Sequence, residues 1–133
     1  MLIDACGWVA LVDGGFNIDL ALSQIIGPPH FILIDLVLEE LEEIDANRPR
    51  NRNLMLNLLR QRSTMIEHPA MHTDDALIEL SRGQQLPILT VDANLKRRAL
   101  EEGIGILEIV KGKNIRPVSY KHLRAHETVG NLV

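Results

Sequence analysis

The feature that most restricts what this chain can fold into is His30-Phe31-Ile32-Leu33-Ile34, a nearly unbroken apolar run with no alternation of apolar and polar positions. A strand with one wet face alternates, whereas a strand covered on both faces does not. The run therefore predicts an interior strand of a parallel sheet. Parallel strands need crossover connections, and segments of helical character stand where crossovers are required. Met1 to Asp4 is a first short strand, and Ala5 to Val12 has helical or turn character until Asp13-Gly14-Gly15. Phe16 to Ile26 predicts an amphipathic helix stopped by Gly27-Pro28-Pro29. Leu36 to Ile44 predicts a helix capped by Asp35. After a polar loop from Asp45 to Asn53, Leu54 to Arg62 is helical again, and Met65-Ile66-Glu67 is a short edge strand. Thr73 caps a helix to Gln84, Pro87 to Val91 is a strand, and Asp92 caps a helix that ends at Gly103. Ile106 to Val110 is the last strand. The alternation predicts an α/β fold with a mainly parallel sheet of four to five strands and helices on both faces. One domain is expected over residues 1–133, with 116–133 forming a C-terminal helix or tail.

Three acids stand out by position. Asp4 follows the first strand directly, and Asp92 follows the strand ending at Val91. In open parallel sheets the functional crevice lies beyond the carboxyl ends of the strands, where strand order reverses. Neighbouring strands at that reversal would bring Asp4 and Asp92 face to face. Glu40 is marked by phase, because Val37, Glu40, Leu41 and Ile44 share the i, i+3, i+4, i+7 face of one helix. A carboxylate turned inward on an otherwise apolar face needs a cation or a donor. Asp74 and Asp75 both open the helix from Thr73, where the dipole favours negative charge, and helix phase does not choose between them. Converging carboxylates repel one another unless a counter-charge is present. Hard divalent cations such as Mg²⁺ or Mn²⁺ prefer such oxygen ligands and promote phosphodiester hydrolysis.

Charge and composition narrow the partners. The formal net charge is −4, yet five Arg and no acid lie between Ala46 and Ile66, while six acids lie between Asp35 and Asp45. Separate basic and acidic stretches suit a chain that holds a polyanion beside a cation site. One Trp, one Tyr and two Phe are too few for base-stacking platforms, so contacts to nucleic acid are expected at the backbone. The single Cys6 excludes an intrachain disulfide and a multi-cysteine zinc site, which fits a reducing, cytoplasmic setting. The expectation is a soluble protein with no membrane partner, since no run approaches roughly 18 apolar residues and no basic leader precedes Asp4. The phosphate loop of nucleotide-binding proteins and the Gly-x-Ser-x-Gly elbow of hydrolases are both missing from the sequence.

Taken together, Leu2-Ile3-Asp4, Val37-Leu38-Glu39-Glu40-Leu41, His72-Thr73-Asp74-Asp75-Ala76-Leu77-Ile78 and Thr90-Val91-Asp92, followed by Leu95-Lys96-Arg97-Arg98, resemble the motifs of the PIN domain family. The resemblance runs from Met1 to about Ile115 and is greatest to archaeal-type proteins near the rRNA-processing branch, with toxin-type ribonucleases close by. It implies a three-layer α/β/α sandwich and Mg²⁺- or Mn²⁺-dependent cleavage of single-stranded RNA. It also implies a homodimer and either an antitoxin or a ribosome-assembly partner. By the same resemblance Asp4, Glu40, Asp75 and Asp92 are the catalytic, metal-holding acids, with Asp75 the main ligand of its pair and Asp74 a further metal ligand. One departure stands out. Where the family often offers Asn, Ser or Thr two residues after the first Asp, this chain has Cys6, a weak hydrogen-bonding substitute, which implies either reduced activity or a supporting role that passes to Thr90.

Arg48, Arg50, Arg52, Lys96 and Arg97 are the candidate RNA contacts, weighed against a plain solvated surface. His122 and His126 have the i, i+4 spacing of a metal pair, but no third ligand accompanies them and they read as tail residues. His72, close to Asp75, reads as a loop residue, weighed against a contact to substrate or support of Asp75. Trp8 is expected in the core or at a subunit interface. Two readings compete with the nuclease: a non-catalytic module binding RNA or protein through a weakened site, and an acidic pocket of the response-regulator kind, for which the acid spacing fits poorly.

Overall fold

The computed structural model describes residues 1–17, 20, 30–69, 72–110 and 114–118. Its strands are β1 (Leu2–Ile3), β2 (Phe31–Ile34), β3 (Ser63–Ile66), β4 (Ile88–Leu89), β5 (Ile106–Val110) and β6 (Asn114–Val118). Its described helices are α1 (Ala5–Asp13), α2 (Asp35–Ala46), α3 (Leu56–Gln61), α4 (Thr73–Gln84) and α5 (Ala93–Glu101). The helix expected over Phe16 to Ile26 lies mostly outside the described residues, as do His122 and His126.

The sheet order is β3-β2-β1-β4-β5-β6, with every pairing parallel except β5 to β6. From β1 the chain moves outward through β2 to β3, then returns across the sheet to β4 and moves the other way to β5. With right-handed crossovers this reversal places α1, α2 and α3 on one face and α4 and α5 on the other, giving the α/β/α layering. The sixth strand goes beyond the four to five expected. Asn114-Ile115-Arg116-Pro117-Val118 reads as irregular because it is polar and carries a proline. It pairs as an antiparallel edge, where a missing N–H is tolerated.

The apolar run behaves as its pattern requires. Phe31, Leu33 and Ile34 are fully buried, and β2 is flanked by β1 and β3. Trp8 enters the same layer with no exposed surface. Its indole N–H donates to the Leu54 carbonyl at 2.7 Å, and its ring meets Phe31 edge-on at 6.0 Å. That bond removes the cost of burying an indole N–H in an aliphatic core.

Two expected caps take other roles. Asp35 lies within the first turn of α2 and accepts from the His68 backbone N–H at 3.1 Å, fastening the end of β3 to α2. Thr73 is the first residue of α4, and its hydroxyl donates to Glu40. Asp92 does cap α5, accepting from the Asn94 and Leu95 backbone N–H groups, and Gly103 past that helix has φ +76°.

Gly7 sets how closely α1 approaches the sheet. A Cβ built there would stand 2.5 Å from the Leu89 carbonyl oxygen and 2.9 Å from Asp4 Oδ1, whereas one at Gly83 in α4 meets nothing within 4 Å. Gly7→Ala is therefore expected to destabilise by about 1–3 kcal/mol. Gly83→Ala should stabilise by roughly 0.5 kcal/mol through helix propensity. Urea unfolding of the two variants beside wild type checks both signs.

Candidate active site

Asp4 is built into the turn from β1 to α1. Its backbone is still extended, at φ −98° and ψ 171°, while its side chain already caps the helix by accepting from the Gly7 N–H at 2.8 Å. Because Ile3 pairs with Leu89 across the β1–β4 ladder, the next residues, Asp4 and Thr90, fall side by side. The Thr90 hydroxyl donates to Asp4 Oδ2 at 2.6 Å and accepts from the Asp92 N–H at 3.0 Å. The Cys6 thiol also donates to Asp4 Oδ2, at 3.0 Å. Cys6 thus occupies its weak-donor position with Thr90 beside it, and neither leaves Asp4 unsupported.

Asp4 is only 6% exposed and Thr90 is fully buried. Burial pushes the Asp4 carboxyl above its ordinary range, against the pull of three donors, and the charge of Asp74 pushes the same way. The Cys6 thiol is pushed up to about 11 by burial and by the neighbouring Asp4. It therefore stays protonated and serves as a donor rather than a nucleophile.

A cleft of about 490 Å³ opens over this group. Asp4, Glu40, Asp74 and Asp92 line it, four acids from four separate segments of the chain, and among the described residues no Lys or Arg lines it. Glu40 differs from expectation. It is exposed, because the α2 face that buries Val37 and Leu41 opens onto the cleft one residue before Leu41, and Thr73 rather than the core supplies its donor. Asp74 is raised first by burial and then by the charges of Asp92, Glu40 and Asp75, partly offset by Arg98.

Asp75 is turned elsewhere. Its carboxylate forms an exposed ion pair with Arg98 at 2.8 Å and does not line the cleft. Arg48 is engaged with Asp13 and with the Arg52 carbonyl, and Arg50 and Arg52 form a short 3₁₀ turn beside it. Asp13 ends the helix that Asp4 begins, so this arginine group stands about 13 Å of helix away from Asp4. Lys96 lies 4.0 Å from Glu108, and Arg97 is exposed on α5; neither lines the cleft.

Among the described residues the cleft's charged groups are all carboxylates, a donor set whose mutual repulsion a hard divalent cation would relieve better than a soft one. Among the described residues no three His, Cys, Asp or Glu side chains are already gathered closely enough to hold a metal ion. The fit therefore rests on donor chemistry and charge. Sequence reasoning missed two parts of this site: Thr73 as the partner of Glu40, and Gly7 as the residue that lets α1 reach Asp4. The Asp-x-x-Gly spacing of a helix cap was a usable signal for Gly7.

A family model described as a PIN-like domain matches residues 1–112. Among solved structures, the PIN domain endonuclease Utp24 superimposes with a TM-score of 0.70 at 19% identity, covering 89% of this chain and 91% of that one. That likeness establishes the fold. No curated protein matches significantly. No helix among the described residues is long and apolar enough to cross a membrane.

The raised carboxyls carry a definite sign for stability. Asp4 and Asp74 both bind their protons more tightly folded than unfolded, so the stability they contribute is complete below the ordinary value of 3.8 and is lost as pH rises through their raised values. In chelator, Asp74→Asn should therefore gain melting temperature relative to wild type between about pH 4 and 7. Thermal unfolding across that range checks it, and a difference that shrinks with rising pH contradicts it.

Proposed function

This chain belongs to the PIN-like domain family, and on that footing we propose that it is an Mg²⁺- or Mn²⁺-dependent endoribonuclease hydrolysing phosphodiester bonds of single-stranded RNA. The observation that carries the proposal is the cleft at the β1–β4 reversal, lined by Asp4, Glu40, Asp74 and Asp92 with no basic side chain among its described lining residues. Carboxylates that face one cleft from separate elements repel one another without a cation, and such costs concentrate at functional sites.

Asp4 is the pivot of the proposed site. Thr90 and Cys6 bind its Oδ2 and the Gly7 N–H binds its Oδ1, which keeps a further lone pair for a ligand. Asp92 is oriented by two backbone N–H groups that bind its Oδ1, and Glu40 is oriented by Thr73. Asp74 supplies the remaining carboxylate. Asp75, to which the family resemblance assigns this role, instead holds Arg98, and through it the first turn of α4 against α5. A divalent ion bound by this set supplies Lewis acidity at the phosphate and activation of water. Phosphate contacts fall to the bases outside the cleft, first Arg97 and Lys96 on the helix that Asp92 caps. The Arg48, Arg50 and Arg52 turn lies on a longer path. rRNA maturation and toxin action are both settings for this one chemistry, with a ribosome-assembly factor or an antitoxin as the respective partner.

Purified protein is expected to cleave single-stranded RNA with Mn²⁺ or Mg²⁺ and to lose more than about 100-fold of that activity in Asp4→Asn and Asp92→Asn. Wild-type protein that shows no divalent-ion binding by calorimetry would sink the proposal. The paired acids separate in the same assay: Asp74→Asn should weaken Mn²⁺ binding on the order of tenfold or more, while Asp75→Asn leaves it within about threefold. The opposite ranking would return the role to Asp75.

A further inference from the structure

The carboxylates do not account for the whole cleft. Five large apolar side chains are markedly exposed among the described residues, and two of them, Ile44 at 37% and Val91 at 39%, line this one depression. They arrive independently. Ile44 lies one turn beyond Glu40 on α2, and Val91 stands between Thr90 and Asp92, while Val9 and Ala10 of α1 also line the cleft. Single exposed aliphatic residues are ordinary on a protein surface. An aliphatic strip that converges with a few polar groups in one cleft of this size is instead the make-up of a small-ligand site. A site for a hydrated ion alone has no use for it.

The lining is equally informative in what it omits. Among the described residues it contains no aromatic ring on which a base would stack, and no Asn, Gln, Arg, Lys or His to read a base edge. Resting on the nuclease reading of this cleft, we infer that Ile44 and Val91 form an apolar seat for the base and sugar face of one unpaired nucleotide beside the scissile phosphate. The seat admits a nucleotide whose face is free and does not distinguish which base it carries. A base stacked and paired within a duplex has no free face to offer. A nucleotide is favoured over a protein segment because the apolar residues share one cleft with the carboxylates and that cleft holds about 490 Å³, within the range of small-ligand sites.

The test compares a single-stranded RNA with the same RNA carrying one abasic residue at the mapped cleavage position, in Mn²⁺, using wild type and Ile44→Ala/Val91→Ala. Both positions are exposed, so the double variant keeps its core. On intact RNA the double variant should raise KM on the order of tenfold with kcat nearly unchanged, and it should have no further effect on abasic RNA. Wild type should lose a comparable factor on the abasic substrate and should cleave all four bases at that position within about threefold. Equal losses on both RNAs, or a sharp base preference, would overturn the inference. A double variant that behaves as wild type on both would also overturn it and leave the strip to a protein partner. Equilibrium RNA binding and Mn²⁺ calorimetry separate this from the parent reading. Cleavage without an abasic penalty removes the seat and keeps the nuclease, whereas ion binding and an abasic penalty in binding without cleavage keep the seat and remove the nuclease.

Discussion

The pairing of β1 with β4 is the contact on which the rest of the site depends. Each strand is only two residues long, so the ladder contributes few hydrogen bonds. Its effect is positional. It sets Leu2 and Ile3 against Ile88 and Leu89, and so delivers Asp4 and Thr90 to adjacent places at the point where strand order reverses. Side-chain burial reinforces the short ladder, since all four of those residues are fully buried. The absence of a Cβ at Gly7 then lets α1 descend until its own N–H reaches the Asp4 carboxylate.

From that contact follows an electrostatic conflict. Asp4 is withdrawn from water and held by a hydroxyl, a thiol and an N–H, which stabilise its charged form, while desolvation and Asp74 oppose it. Desolvation prevails, so the carboxyl is raised despite three donors. Asp74 shows the same balance at a more solvated position, where the charges of Asp92, Glu40 and Asp75 add to burial and Arg98 answers only in part. A metal-free chain is thus less stable at neutral pH than it would be with these groups neutral, which is the usual relation between a preorganised site and the fold that carries it.

Much of the fold is legible in the sequence because its signals are local. The apolar run at Phe31–Ile34 announces a strand covered on both faces, and the capping Asp92 and trailing Gly103 bound a helix within a residue or two. Where local signals have two physical outlets, reading stops. Asp35 and Thr73 are both good caps, but a longer-range partner claims each side chain: the His68 N–H for Asp35 and Glu40 for Thr73. β6 is illegible for a related reason, since an edge strand needs no apolar pattern of its own when β5 supplies the pairing.

The sequence by itself determined the acids available, the strand ends that carry Asp4 and Asp92, and the helix that carries Glu40, because these follow from nearest-neighbour periodicity and capping. Only the tertiary structure decided which strands adjoin, and hence that Thr90 serves Asp4. It also decided between adjacent acids. Asp74 and Asp75 are indistinguishable in composition and helix position, yet Arg98 on α5 takes Asp75, and Asp74 is left to the cleft. The physical reason is the same for Thr90 and for Arg98: a carboxylate's role is set by the donor or charge that reaches it through space, and that neighbour lies tens of residues away along the chain.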